Sequence, residues 1–272
     1  MSRPNPLGPA AAARRLQGVG EVILVGSGKG GVGKSTVACC LSLELRRNGF
    51  STGLLDLDFH GASVPEYLSL RPPVSSDKDG LRPKTRGGLK VMSVGLFTGD
   101  NPVPMRGPDK QELTAQIFGL TNWGHLDFLV VDLPPSMGDE LLTALNVFGE
   151  KASLLLVTTP SPASTEVVSR LRRLADREGV PILGAVLNMA YVGVGRKKVF
   201  PFGRRSAKTL ESEIGSRLCA VVPLEPTVAD RSLVEVLESR GEFAASIAGL
   251  AKQVRSALRL LPATRAGAKA PR

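Results

Sequence analysis

Residues 21–46, EVILVGSGKGGVGKSTVACCLSLELR, run from an apolar stretch of strand length through a glycine-rich turn into a segment of helical period. Within it, Gly28 to Ser35 fit the pattern G-x-x-x-x-G-K-[ST]. A loop of this kind joins a sheet strand to a helix whose N-terminus faces a phosphate group, so it dictates both a local fold and a ligand class. Gly28, Gly30, Gly31 and Gly33 are expected to let the backbone curl with its N–H groups inward, with Val32 and Thr36 completing the cradle. Lys34 is placed to reach the outer phosphates of a nucleotide and Ser35 to ligate Mg²⁺. The pattern needs one lysine; Lys29 is a second, and the loop alone gives it no task.

Further apolar runs of strand length occur at 52–58, 89–94, 126–134, 152–159, 181–188 and 219–224. Several are apolar on consecutive residues, as strands covered on both faces are. Helical periods fill the intervals at 33–48, 108–120, 138–148, 162–178, 206–216, 227–239 and 242–261. This alternation predicts an α/β fold: a doubly wound, mostly parallel sheet with helices on both faces. No linker divides the middle of the chain, so one domain is expected over 21–261. Residues 1–20 read as a flexible basic arm without helical period, and 262–272 as a flexible tail.

The 272 residues carry a formal net charge of +10, yet the lysines and arginines are scattered and only one Trp and two Tyr accompany nine Phe. A solvated basic surface fits better than a nucleic-acid or membrane partner. The last helical segment has an apolar stripe of Phe243, Ile247, Leu250, Val254, Leu258 and Leu261, which suits packing on a sheet and also suits an anionic membrane surface. Cys39, Cys40 and Cys219 form no disulfide framework, and a cytoplasmic, reducing setting is expected.

Three acids end apolar runs: Asp56 and Asp58 in LLDLDFHG, and Asp132 in FLVVDLPPSMGDE. Ligands of open α/β sheets bind at the carboxyl ends of strands, where an unpaired buried carboxylate would be costly. Beside a phosphate loop, handling of Mg²⁺ and water is the favoured role; an N-cap aspartate is the alternative.

In order along the chain, GKGGVGKS, LLDLDFHGASVPEYL, MRGPDKQEL, HLDFLVVDLPPSMGDE, VLNMAYV and VVPLEPTVADRS resemble the Mrp-type P-loop ATPases, relatives of the MinD and ParA ATPases. The resemblance implies a homodimer that binds and slowly hydrolyses Mg·ATP and serves iron-sulfur cluster assembly or transfer. It makes Lys29 the signature lysine of a deviant phosphate loop, reaching the partner subunit's nucleotide. It makes Asp58 the residue that orients the attacking water, Asp56 and Asp132 holders of Mg²⁺, and Gly138 part of a second switch. Asn188 becomes a reader of adenine, with Pro223, Leu224, Glu225 and Pro226 lining the base.

The chain departs from the resemblance at NMAYVGVGRKKVFPFG, where cluster-carrying members have a C-x-x-C pair. Gly193, Val194, Gly195 and Arg196 offer no thiolate for an iron-sulfur cluster. Cluster binding by this chain alone is therefore not expected. A cysteine-bearing homologue, an iron-sulfur scaffold or an apo client protein would be the partner, and Lys197, Lys198, Arg204 and Arg205 leave a basic segment that suits an acidic partner or a solvated loop. The other functional class is a MinD- or ParA-like nucleotide-gated module acting on a membrane or DNA surface.

Overall fold

Strand β1 (Val19–Gly26) sends Ile23 and Val25 into one core and Val22 and Leu24 into another, and all four are fully buried. Adjacent residues of a strand face opposite ways, so an unbroken apolar run requires a covered sheet on each side. The computed structural model describes residues 9–58, 61–98, 107–135 and 138–261 and has that arrangement.

The strands are β1, β2 (Thr52–Asp56), β3 (Ser76–Asp77), β4 (Gly80–Leu81), β5 (Lys84–Arg86), β6 (Leu89–Ser93), β7 (Leu126–Asp132), β8 (Ala152–Thr158), β9 (Ile182–Leu187), β10 (Val192–Val194), β11 (Lys197–Val199) and β12 (Leu218–Val221). Among the described residues, eight form one sheet in the order β12-β9-β8-β1-β7-β2-β6-β5. All its neighbours run parallel except the edge pair β5 and β6. The pairs β3-β4 and β10-β11 are separate ribbons.

The helices are α1 (Pro9–Gln17), α2 (Lys34–Arg47), α3 (Val64–Tyr67), α4 (Gly95–Thr98), α5 (Gly107–Leu120), α6 (Asp139–Phe148), α7 (Pro162–Arg177), α8 (Ala207–Ile214), α9 (Leu233–Glu238) and α10 (Glu242–Arg259). Helices α2, α9 and α10 bury their apolar residues in the first core. Helices α5 to α8 bury theirs in the second, where Phe118 and Phe148 meet edge to face at 5.1 Å. Trp123 is fully buried there and donates its indole N–H to the Phe118 carbonyl at 3.2 Å, so it offers no face for base stacking.

Two sequence expectations change, and the choice between two readings of the last helix is resolved in favour of packing. Pro9–Gln17 is helical, packs against α5 and buries Ala12, so the ordered fold begins before residue 20. Among its described side chains Ala12 is buried and Leu16 packs on the second core, too few apolar positions for a period to be read. The helix expected over 227–239 is a 3₁₀ turn at Pro226–Ala229 followed by α9, whose start Ser232 caps by accepting from the Glu235 N–H at 3.4 Å. The apolar stripe of the last helix is used internally: Phe243, Ile247, Leu250, Val254 and Leu258 are buried and α10 packs on α2 and β12. That removes the stripe as support for membrane docking. No helix among the described residues is long and apolar enough to cross a membrane.

Residues 1–8 of the expected arm, the tail 262–272, His60, and Met105 and Arg106 of the MRGPD stretch lie outside the described residues.

Candidate nucleotide site

The parallel register brings the carboxyl ends of three central strands together. Val25 of β1 lies opposite Asp132 of β7, which lies opposite Asp56 of β2. The phosphate loop leaves β1 at this point and enters α2 at Lys34, so the helix N-terminus and the three strand ends share one mouth.

Not every glycine of the loop is required for the same reason. Gly31 and Gly33 both have φ of 77°, a left-handed conformation that disfavours other residues. A Cβ on Gly28 would lie 2.8 Å from the Val167 backbone carbon of α7, and one on Gly33 would strike the Asn188 amide nitrogen. Gly30 differs: its φ is ordinary and a Cβ there would meet nothing within 4 Å. The chain's own fold does not demand glycine at 30; the space beside it is open to a ligand or another chain.

Lys34 is buried at 6% exposure, forms an ion pair with the Asp132 carboxylate, and donates to Ser35 Oγ at 3.3 Å. Asp132 is fully buried, and its second oxygen, Oδ2, has no hydrogen-bond partner among the described residues. Burial pushes the Asp132 carboxyl above the ordinary carboxylate range, against the opposing pull of Lys34. Burial, reinforced by the Asp132 charge, also raises Asp56 to about 7. Both Asp56 oxygens are engaged: Oδ2 accepts from Ser93 Oγ at 2.7 Å and Oδ1 from the Asp58 N–H at 3.0 Å. Asp58 stands just beyond β2, with Oδ1 accepting from the Gly61 N–H at 3.1 Å.

A cavity of about 210 Å³ is lined by loop residues from Ser27 to Ser35 together with Asp58, Gly61, Ser63, Tyr67 and Pro135. Lys29 belongs to its wall and is exposed, with its carbonyl fixed by Ser27 Oγ at 3.0 Å. The structure thus separates the two lysines: Lys34 faces inward to Asp132 and Lys29 faces the open side.

A second, more apolar cavity of about 440 Å³ is lined by Gly31, Gly33, Thr36, Tyr67, Asn188, Met189, Phe243 and residues 223–226. The expected Asn188, Pro223, Leu224 and Glu225 therefore come together beside the loop. Two of them have local tasks that the sequence did not reveal. Asn188, at 3% exposure, donates its amide N–H to the Val32 carbonyl at 2.9 Å and so braces the loop from beneath. Glu225 turns its carboxylate to the 3₁₀ turn, accepting from the Thr227 N–H at 3.2 Å and hydroxyl at 2.7 Å, so the carboxylate caps that turn. Sequence reasoning missed Ser93 and Tyr67. A serine closing a strand after Val91 and Met92 was a signal for the first; α3, four residues long, has no period to betray the second.

Gly138 immediately precedes α6 with φ of 154°, and a Cβ there would lie 2.6 Å from the Leu174 side chain. The cysteines do not join the site. Cys39 and Cys40 are fully buried and Cys219 nearly so, and burial pushes all three thiols up, with Cys219 at about 11. Buried thiols held protonated are poor metal ligands. Where a C-x-x-C pair was missing, the chain forms the β10-β11 ribbon. Lys198 and Tyr191 converge there on Glu242 Oε1 at 2.5 and 2.6 Å, and Arg205 pairs with Glu213.

A family model described as ParA: NUBPL iron-transfer P-loop NTPase matches residues 18–254. The chain is 36% identical over 231 residues to the iron-sulfur cluster carrier protein of Aquifex aeolicus, covering 82% of this chain and 63% of that protein, so it spans under two thirds of that relative's length. It is 34% identical over 230 residues to the iron-sulfur cluster transfer protein NUBPL of Dictyostelium discoideum, covering 82% and 71% of the two chains. Among solved structures, a nucleotide-binding protein from Archaeoglobus fulgidus in complex with ADP superposes with a TM-score of 0.71 at 26% identity, covering 95% of this chain and 99% of that one. The cell division ATPase MinD of Pyrococcus furiosus shares the fold, with a TM-score of 0.63 at 22% identity over 87% of this chain and 99% of that one. A phosphate loop at the meeting of β1, β2 and β7, and likeness along nearly the whole described chain, make this protein a member of the NUBPL iron-transfer P-loop NTPase family.

Proposed function

We propose that the chain binds Mg·ATP across the two cavities, hydrolyses it slowly as a homodimer, and uses the nucleotide state to set the geometry of the pair. The observation that carries this reading is the buried Asp132 Oδ2 at the mouth of the phosphate loop, which has no hydrogen-bond partner among the described residues. A carboxylate oxygen left in that state is costly, and an all-oxygen set of Ser35, Asp56 and Asp132 suits Mg²⁺ and its waters. These three residues would hold the ion, which neutralises charge on the phosphates.

The chain's own groups divide the remaining work. The loop N–H groups and the α2 N-terminus receive the phosphates. Lys34, ion-paired with Asp132, exchanges that contact for the outer phosphates. Asp58, on the wall of the phosphate cavity, orients the attacking water. Lys29, on the open side, would serve the partner subunit's nucleotide, which makes turnover depend on dimer formation. Slow hydrolysis follows from leaving that cation outside the isolated chain's own site.

Mg·ATP at about 1,000 times its dissociation constant is expected to stabilise the fold by about 4 kcal/mol, measured as a raised melting temperature. An unmoved melting temperature removes the nucleotide reading. Iron-sulfur cargo is a different matter, because every cysteine of the described chain is buried. The thiolates for a cluster would come from a cysteine-bearing homologue, a scaffold or an apo client. Anaerobic reconstitution with iron and sulfide should leave the purified chain without stoichiometric iron; a cluster retained through gel filtration would overturn that division of labour.

A further inference from the structure

Gly31, Gly33 and Tyr67 line both the phosphate cavity and the apolar cavity. Two of these are glycines and contribute only backbone, so among the described residues Tyr67 is the one with a side chain that both walls share, and it stands at their join. We propose that Tyr67 is the residue that positions the sugar of the bound nucleotide, an inference that rests on the nucleotide reading above. Triphosphate on the loop and base in the apolar cavity leave the sugar to pass the join.

The chemistry of a tyrosine fits that place. Its ring offers an apolar face to sugar C–H groups, and its hydroxyl either donates to or accepts from a sugar hydroxyl. Within the chain, Tyr67 is half-buried and packs on the first core, and its hydroxyl has no hydrogen-bond partner among the described residues. The short helix α3 that carries it is fixed by Val64 and Leu68, both fully buried, and Leu68 donates its N–H to the Val64 carbonyl at 3.1 Å. The ring is therefore held from one side and left open on the other. The opposite wall cannot supply a substitute, because Gly31 and Gly33 are left-handed and Gly33 has no room for a Cβ.

The test compares Mg·ATP with inorganic Mg·tripolyphosphate, which has the phosphates without the sugar, by calorimetric titration of the full chain and its variants. Tyr67→Ala is expected to weaken ATP about tenfold while changing tripolyphosphate less than about twofold. Tyr67→Phe is expected to keep ATP within about threefold of wild type, since it retains the ring and loses one neutral hydrogen bond. Equal weakening of both ligands by Tyr67→Ala would show that the residue acts through the loop's fold and would overturn the inference. So would unchanged ATP binding. Failure of the wild-type chain to bind ATP would remove the nucleotide reading and this inference together; binding by wild type with an unselective Tyr67→Ala variant would remove this inference alone.

Discussion

Lys29→Ala is expected to lower ATP turnover by about 10³-fold or more while leaving ATP binding within a few fold of wild type. A cation supplied from outside a phosphate site to developing negative charge contributes roughly 10³ to 10⁵ in rate in arginine-finger systems. Here Lys34 is buried against Asp132, and Lys29 is exposed on the cavity wall where Gly30 leaves open space. Loss of an exposed side chain leaves the loop backbone intact, since the Ser27 hydroxyl holds the carbonyl of residue 29 rather than its side chain. The measurement is steady-state phosphate release beside equilibrium ATP binding. Turnover within threefold of wild type would mean that Lys29 is a solvated loop residue with no part in the chemistry.

Lys34→Ala is expected to do something different: to destabilise the fold by about 3–5 kcal/mol as well as to abolish ATP binding. Removing one member of a buried ion pair leaves the other charge uncompensated. Asp132 would then lack its cation at one oxygen while the other already has no partner among the described residues. For a chain of this size the loss corresponds to a melting temperature lower by on the order of 10 °C. A double variant, Lys34→Met with Asp132→Leu, should recover most of the stability and none of the ATP binding, because an apolar pair of similar volume has no charge to strand. If the double variant melts as low as the single one, the stranded carboxylate is not the cause.

The single variant's deficit should also depend on pH, in a stated direction. Burial holds the Asp132 and Asp56 carboxyls above their ordinary range, so the folded state keeps protons that the unfolded state releases. Stability from such groups falls as pH rises. Lys34 opposes that rise at both carboxyls, so its loss raises them further; the deficit of Lys34→Ala is therefore smallest at low pH, where both proteins hold these carboxyls protonated, and grows as pH rises through the raised range.

The central strands and the phosphate loop were legible because their signals are long or rigid. An unbroken run such as ASLLLVT needs two covered faces, and β8 is buried at every position. The carboxylates were legible for a related reason, since acids ending buried strands have few places to go. What escaped has a physical pattern too. Helix α1 has few apolar contacts to show, Ala12 and Leu16 among its described side chains, and α3, β5 and the β10-β11 ribbon are too short for any period to emerge. Side-chain tasks that depend on tertiary proximity, such as the Asn188 amide on Val32 or the Glu225 carboxylate on Thr227, have no local sequence signature. Gly30 illustrates the reverse, a glycine expected to help the loop backbone curl at a position where the fold itself does not require one.

The brace from Asn188 to the Val32 carbonyl has a thermodynamic consequence. Residue 188 follows β9 and residue 32 follows β1, with β8 lying between those strands, so the tie crosses one strand and anchors the loop to a second strand end. With Gly28 also flush against the Val167 backbone, the loop has little configurational freedom left to surrender when a phosphate arrives. Ordering costs normally consume part of any binding energy, and here most of them are met during folding. Association with ATP should accordingly resemble the capture of an anion by a preshaped mould, with the larger rearrangements displaced to the side chain of Lys34 and to the approach of a second subunit.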